Sequence, residues 1–293
     1  MKLNDYLKQA REHHQAIGHF NFATPDVLRA IVQGAKEGGA PAVMVGTSEG
    51  EADFLGLKEA VALVKIIREE MDFPVFLNAD HFKSFEKCKE AIDAGYDTVL
   101  IDASKLPYGE NIALTGKVRE YGKGIPVEGE LGYLRGSSEI QEKVEITPDD
   151  YTKPEEAKDF VEKTGVDRLA VVFGNIHGIV MKQEENLDVE HLKKIIAAIP
   201  AVALVLHGAS GLSDDQVSAA IKAGIVNVHF NTELRVAYTK GIEKALHSGE
   251  MKSFDSAQDH NVHNIVTTPY KYLGPAAEEV KKLVTEKVRL FAR

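Results

Sequence analysis

Eight times along this chain a short run rich in Val, Ile, Leu and Phe gives way to a polar turn and then to an amphipathic helical stretch. No other feature restricts the fold as much. The runs are IGHFNF (17–22), APAVMVGTS (40–48), FPVFLNAD (73–80), TVLIDAS (98–104), IPVEGELG (125–132), RLAVVFGNIHG (168–178), AVALVLHGAS (201–210) and IVNVHFNT (225–232). They show little of the alternation expected of a strand with one wet face, so each is expected to be covered on both sides, as in a parallel sheet. Helix punctuation falls between them. Thr24 and Pro25 read as N-cap and first helical residue, Ser84 precedes FEKCKEAIDAG, a Ser213 to Gln216 capping box precedes VSAAIKAG, and Gly95 and Gly224 sit at helix ends. Eight consecutive βα units predict an α/β fold, a (β/α)8 TIM barrel with extra N- and C-terminal helices over 2–14 and from about Gly274 onward. A doubly wound open sheet is the competing architecture, but no glycine-rich dinucleotide fingerprint follows the first run.

A single domain spanning 1–293 accommodates all eight units, since barrels of this kind typically occupy about 250 residues and often more. Hydrophobic content of 44% with 27% charged residues is globular, and no stretch approaches the roughly 20 consecutive apolar residues of a membrane span. The opening segment, MKLNDYLKQAREHHQ, is polar and helix-like and lacks the apolar centre of a signal peptide, so a cytoplasmic location is expected. Cys88 is the one cysteine; helical spacing buries it, and it has no partner for an internal disulfide. A formal charge of −10 argues against nucleic acid or an anionic membrane as partner, because both require a basic face. Any anionic substrate must then be held by local groups.

Polar residues interrupt the runs at one end only. Asp80 and His81 close the third, Asp102 and Ser104 the fourth, Glu130 the fifth, His177 the sixth, His207 the seventh, and Asn231 with Thr232 the eighth. In a parallel barrel these ends meet on one face, where barrel active sites are built. A lone histidine there reads as a hydrogen-bonded barrel residue. Three of them with carboxylates alongside read instead as a catalytic divalent-metal centre, for which imidazole ligands and an open position suit Zn²⁺. Neighbours on an extended strand face opposite ways, so Asp80 and His81 serve one site only if the strand ends there and its backbone turns. Small and hydroxyl residues cluster in HGI (177–179), HGASGLSDD (207–215) and NTEL (231–234), where backbone amides of a barrel commonly hold phosphate. A metal beside a phosphate cradle predicts a phosphorylated carbonyl substrate. His13, His14, His191, His247, His260 and His263 read as surface or loop residues, while His19 and His229 lie inside strand runs without an assigned role.

The segments NADHF, VLIDAS, VEGELG, GNIHG, LVLHGASGLSDDQ and PYKYLGPA occur in one order across nearly the whole chain. In these the sequence resembles the class II, metal-dependent fructose-bisphosphate and tagatose-bisphosphate aldolases. The resemblance implies that His81, His177 and His207 hold a catalytic Zn²⁺, with Asp102 and Glu130 available to a second divalent metal position. It further implies that Asp80 transfers a proton at the C4 hydroxyl and that Glu139, in GYLRGSSEIQ, protonates C3. Gly178, Gly208, Ala209, Ser210 and Thr232 match the ketose phosphate site, Asn231 a substrate-contacting position, and Ser48 the serine after the second strand. The implied reaction is reversible aldol cleavage of a ketose bisphosphate, foremost fructose 1,6-bisphosphate to dihydroxyacetone phosphate and glyceraldehyde 3-phosphate, with the metal as electron sink in place of a Schiff base. Tagatose 1,6-bisphosphate or another ketose phosphate is the alternative substrate, and a non-catalytic metal-binding barrel the alternative class.

The chain departs from that family's pattern in four places. Asn227-Val228-His229 replaces the usual Lys-x-Asn; either His229 donates the substrate hydrogen bond that the asparagine makes elsewhere, or the change marks another substrate. Thr268-Pro269-Tyr270 replaces Asp-Pro-Arg, which removes the arginine associated with the distal phosphate unless Arg289 or Arg293 substitutes for it. Gly136-Ser137 replaces a Gly-Gly ahead of Glu139, and the loop after His177 reads GIVMKQEENLD, with Lys182 near the expected lysine. The partners expected are a small phosphorylated sugar and further copies of the same chain, the terminal helices being available for a subunit interface.

Overall fold

The computed structural model describes residues 1–183, 185–247 and 268–293; the His247 side chain, His260 and His263 lie outside the described residues. In chain order the elements are α1 (Leu3–Glu12), β1 (Ile17–Asn21), α2 (Pro25–Glu37), β2 (Val43–Ser48), α3 (Glu49–Leu55), α4 (Leu57–Met71), β3 (Val75–Phe82), α5 (Phe85–Ala94), β4 (Thr98–Ile101), α6 (Tyr108–Tyr121), β5 (Val127–Leu131), β6 (Gly136–Gln141), α7 (Pro154–Thr164), β7 (Arg168–Val171), β8 (His177–Val180), α8 (Val189–Ala198), β9 (Ala203–Leu206), α9 (Asp214–Ala223), β10 (Ile225–Phe230), α10 (Thr232–His247) and α11 (Pro269–Phe291). Among the described residues, β1, β10, β9, β7, β5, β4, β3 and β2 close in that order into a barrel. Every pairing is parallel. Parallel closure demands a helical return after each strand, and the eight sequence runs supply it.

The caps act as the residue types require. Ser84 Oγ accepts from Lys87 N–H and Ser213 Oγ from Gln216 N–H, each satisfying one orphan donor of a first helical turn. Only half of the expected capping box forms at Ser213, because the Gln216 side chain instead donates to the Glu185 carbonyl. α1 sets Leu3, Leu7 and Ala10 on one face and plugs the N-terminal mouth of the barrel against Ile17, Met44 and Val226. α11 starts at Pro269, five residues before the expected Gly274, and turns Val280, Val284 and Val288 inward. Each such side chain contributes about 1.5–3 kcal/mol on burial, enough to seat the helix firmly on its neighbours.

Two expectations about strands require correction. β7 stops at Val171, so His177 does not close the sixth barrel strand; it opens β8, which pairs with β6 in a separate two-stranded ribbon over the barrel mouth. β4 likewise ends at Ile101, leaving Asp102 and Ser104 in the following loop.

Candidate functional site

The side chains that make the site depend on a local break in β3. That strand runs on to Phe82, and its register against β4 shifts between Ala79 and Phe82, with His81 in the left-handed region at φ 52°. A left-handed non-glycine residue costs on the order of 1–3 kcal/mol, and here the bulge turns Asp80 and His81 toward one pocket. The strand therefore does not end at the pair, as the alternation argument supposed; it bulges. His207 follows β9 directly, and His177 is brought over the mouth by β8, its N–H donating to the Arg135 carbonyl at 2.9 Å. The His81 ring centroid lies 4.8 Å from that of His177 and 4.6 Å from that of His207. His81 Nε2 and His207 Nδ1 are 3.0 Å apart, and one nitrogen from each of the three rings fits within 4.8 Å of the others.

Carboxylates surround this triad. His81 Nδ1 lies 3.2 Å from Asp102 Oδ2 and 3.1 Å from Glu130 Oε2, and Asp102 Oδ1 accepts from Ser104 Oγ at 2.7 Å. Burial opposes charge on His81, yet Glu130, Asp80 and Asp102 together raise its pKa well above the ordinary imidazole value. Burial would raise Asp102, but the His81 and Ser104 hydrogen bonds hold it below the usual carboxylate range. The negative field that favours a proton on His81 also favours a cation between the three rings, and three imidazoles with carboxylates beside them are a donor set that suits Zn²⁺. The residues present fit a divalent metal, with Asp102 and Glu130 grouped with His81 as a second possible ligand set.

Asp80 sits beneath the triad, 5% exposed. Burial would raise its pKa, but His81, His19 and His207 and a hydrogen bond from Asn21 lower it to about 2, so it is an anion at any ordinary pH. Asn21 Nδ2 donates to Asp80 Oδ2 and to Glu51 Oε2, each at 2.9 Å. His229 stacks on the fully buried His19 ring at 3.7 Å between centroids. Its Nε2 lies 3.1 Å from Asn227 Oδ1, and its Nδ1 faces Asp80 Oδ1 at 3.4 Å. The Asn227 amide is oriented by its own Nδ2, which donates to the Ile17 carbonyl, so Oδ1 accepts from His229. The ring's one hydrogen in its neutral form is therefore already engaged.

The pocket, about 310 Å³, continues from the triad to the glycine and hydroxyl cluster. Gly178 (φ 89°) and Gly208 (φ 71°) both need the left-handed region, and a Cβ on Gly208 would stand 2.0 Å from the Ile176 carbonyl oxygen. Ala209 is buried in the turn that follows, Ser210 Oγ accepts from Glu233 N–H, and Thr232 Oγ1 lies 3.1 Å from Ser138 Oγ at the start of α10. Asn231 lines the pocket, and among the described residues its buried Oδ1 has no hydrogen-bond partner. Ser48 also lines the pocket and caps α3, accepting from Glu51 N–H. Lys83, Lys105 and Arg235 also line the pocket.

Other expected residues fall elsewhere. Glu139 is exposed on β6 and is not among the residues lining this pocket. Tyr270 is 74% exposed in the first turn of α11. Arg289 and Arg293 cannot replace the missing distal arginine, because Phe291 between them accepts from Ala16 N–H at the N-terminal end of the barrel, opposite the pocket. Asn21, Glu51, Asn78, Glu128 and Arg168 were not foreseen. A signal for most of them exists: His19/Asn21, Asn78/Asp80, Glu128/Glu130 and Asn227/His229 are polar pairs two residues apart, the spacing that puts both members on one side of a strand.

The family model for Fructose-bisphosphate aldolase class-II matches residues 1–293. Fructose-bisphosphate aldolase of Staphylococcus epidermidis is 36% identical over 298 aligned positions, covering 99% of this chain and 96% of that protein, and the Geobacillus stearothermophilus enzyme of the same name is 36% identical over 296. Among solved structures, the YdjI aldolase of Escherichia coli K12 superposes with a TM-score of 0.79 at 28% identity, covering 99% of this chain and 96% of that one. Fructose-bisphosphate aldolase from Campylobacter jejuni shares the fold at a TM-score of 0.75 and 20% identity. A closed parallel barrel with a histidine triad and carboxylates at its C-terminal mouth, matched end to end by this family, leaves one conclusion: the chain belongs to the class II fructose-bisphosphate aldolases, a family of carbon–carbon lyases.

Proposed function

We propose that the protein is a zinc-dependent aldolase that reversibly cleaves fructose 1,6-bisphosphate to dihydroxyacetone phosphate and glyceraldehyde 3-phosphate, acting as one domain over 1–293 in a cytoplasmic homo-oligomer. The observation that carries this reading is the convergence of His81, His177 and His207 on one pocket that also holds Asp80 and the Gly178, Gly208, Ser210 and Thr232 cradle. His81, His177 and His207 would hold the zinc, with Asp102 and Glu130 available to a second divalent ion. When bound, the ion supplies a Lewis acid for the substrate carbonyl and for the negative charge that develops beside it. Asp80, held as an anion and fixed by Asn21, accepts the C4 hydroxyl proton as the C3–C4 bond breaks. Glu139 is the proposed proton donor to C3, which requires the β6 segment to move from its exposed position.

We assign the ketose phosphate to the backbone N–H groups of the 208–210 turn and the start of α10, a reading supported by the aligned peptide dipoles there, which favour an anion. Asn231 offers a further polar contact. For the distal phosphate we assign Lys83 and Lys105 in place of Tyr270, Arg289 or Arg293, since both lysines line the pocket. A panel of ketose mono- and bisphosphates, assayed for triose phosphate release with and without chelator, tests the proposal. Fructose 1,6-bisphosphate should be cleaved, chelation should abolish cleavage and Zn²⁺ should restore it. Full activity in protein shown by elemental analysis to be metal-free would end the zinc reading, and absence of triose phosphate from every ketose would end the aldolase reading. Lys105→Ala and Lys83→Ala should each reduce the preference for the bisphosphate over the 1-phosphate, by about ten- to a hundredfold for one charge-assisted bond.

A further inference from the structure

We infer that Arg168, acting through Glu128, is a positioning residue for His207: it determines which ring nitrogen of that histidine faces the site. Arg168 opens β7 and is wholly buried inside the barrel. Its Nη1 donates to Asn227 Oδ1 at 3.1 Å, and its Nη2 to Asn78 Oδ1 at 3.2 Å and to Thr98 Oγ1 at 2.7 Å. Glu128 Oε2 lies 3.1 Å from the same Nη2; the Nη2 hydrogens are directed at Asn78 and Thr98, so this contact is an ion pair without an aligned hydrogen bond. A guanidinium has only donors to offer. It therefore draws the carboxylate to itself as an anion.

The other oxygen, Glu128 Oε1, lies 2.8 Å from His207 Nε2. An ionised carboxylate has only lone pairs, so the hydrogen between them belongs to Nε2, and the neutral ring presents the Nδ1 lone pair to the site. That nitrogen is the one 3.0 Å from His81 Nε2. One buried cation thus settles the tautomer of a proposed ligand two contacts away. The inference rests on the zinc reading only for its consequence in metal affinity; the tautomer follows from these contacts alone.

Glu128→Gln separates the two. The amide keeps the shape, but its NH₂ cannot stand 3.1 Å from the guanidinium, donor against donor. The carbonyl should turn to Arg168 and the NH₂ to His207 Nε2, which would then accept and move the ring hydrogen to Nδ1. The imidazole ¹⁵N shifts of His207, assigned against His207→Gln in chelator-treated protein, should report an Nε2–H ring in the unmodified chain and an Nδ1–H ring in Glu128→Gln. Zinc dissociation constants from chelator competition should rise about 10- to 100-fold in the same variant, the usual effect of losing a ligand's outer partner. Glu128→Gln with Arg168→Met removes the cation that orients the amide, so tautomer and affinity should return toward those of the unmodified chain. An Nδ1–H ring in the unmodified protein, or an unchanged tautomer in Glu128→Gln, would overturn the inference whatever the metal result. If the unmodified protein bound no zinc while its tautomer shifted as expected in the variant, the zinc reading would fail and this inference would stand.

Discussion

Glu185 is a buried carboxylate that the proposed chemistry does not use, and it should make the stability of this protein fall as pH rises. The side chain is 7% exposed, and among the described residues neither oxygen has a well-formed hydrogen-bond partner. It packs against the turn after His207 so closely that a Cβ on Gly211 would stand 2.0 Å from Oε1. Burial pushes its pKa from 4.5 up to about 7, the Ile176 amide offsetting only part of the effect. Below pH 4.5 the group is protonated in the folded and unfolded chains alike and contributes no difference. Between 4.5 and 7 the unfolded chain releases the proton while the folded chain keeps it, so stability is lost over this window, to a total of about 3 kcal/mol above it. Glu185→Gln abolishes that titration. The stability of the variant relative to the unmodified protein should therefore grow by about 2.5 kcal/mol between pH 5 and pH 8, roughly 4 °C in Tm for a chain of this length. Thermal unfolding of both proteins in chelator at pH 5, 6, 7 and 8 measures it, and taking the difference cancels every other titrating group. A difference that does not change with pH would refute the reasoning.

Asp80→Ala should fold and retain zinc while turnover drops roughly 10²–10⁴-fold, the range for losing a general acid/base group; loss of zinc along with activity would move Asp80 into the ligand set. Gly46→Ala should destabilise by about 1–3 kcal/mol, because the added methyl would lie 2.4 Å from Nε2 of the buried His19. Urea unfolding of Gly46→Ala with His19→Ala should then show a loss smaller than the sum of the single losses, and strict additivity would count against that contact. The Cys88 thiol is buried and pushed up to about 12, so it should resist iodoacetamide at pH 8 in the folded protein and react on addition of urea. Labelling at equal rates in both conditions would contradict the burial.

Much of this molecule could be read from the chain in order. The eight βα phrases, the caps at Ser84 and Ser213, and the polar residues gathered at one end of the runs are local patterns, and each reflects the preference of a few adjacent residues for one backbone state. The closed barrel follows from them; the family was legible only through the resemblance of segments such as NADHF, VLIDAS and GNIHG. What only the tertiary structure decided is where side chains point and which distant ones meet. Nothing local marks His81 as left-handed, since the bulge arises from the register of β3 against β4. Nor does the apolar run 168–178 disclose that it breaks after Val171 so that His177 can pair outside the barrel with β6. Arg168 reads as the polar start of a strand, yet it spans the barrel interior to Glu128, Asn78, Thr98 and Asn227, residues 40, 90, 70 and 59 positions away. Such contacts exist only once the sheet has closed, because closure turns the inward side of every strand toward the same small volume. There a buried charge must find its partners wherever the chain has put them.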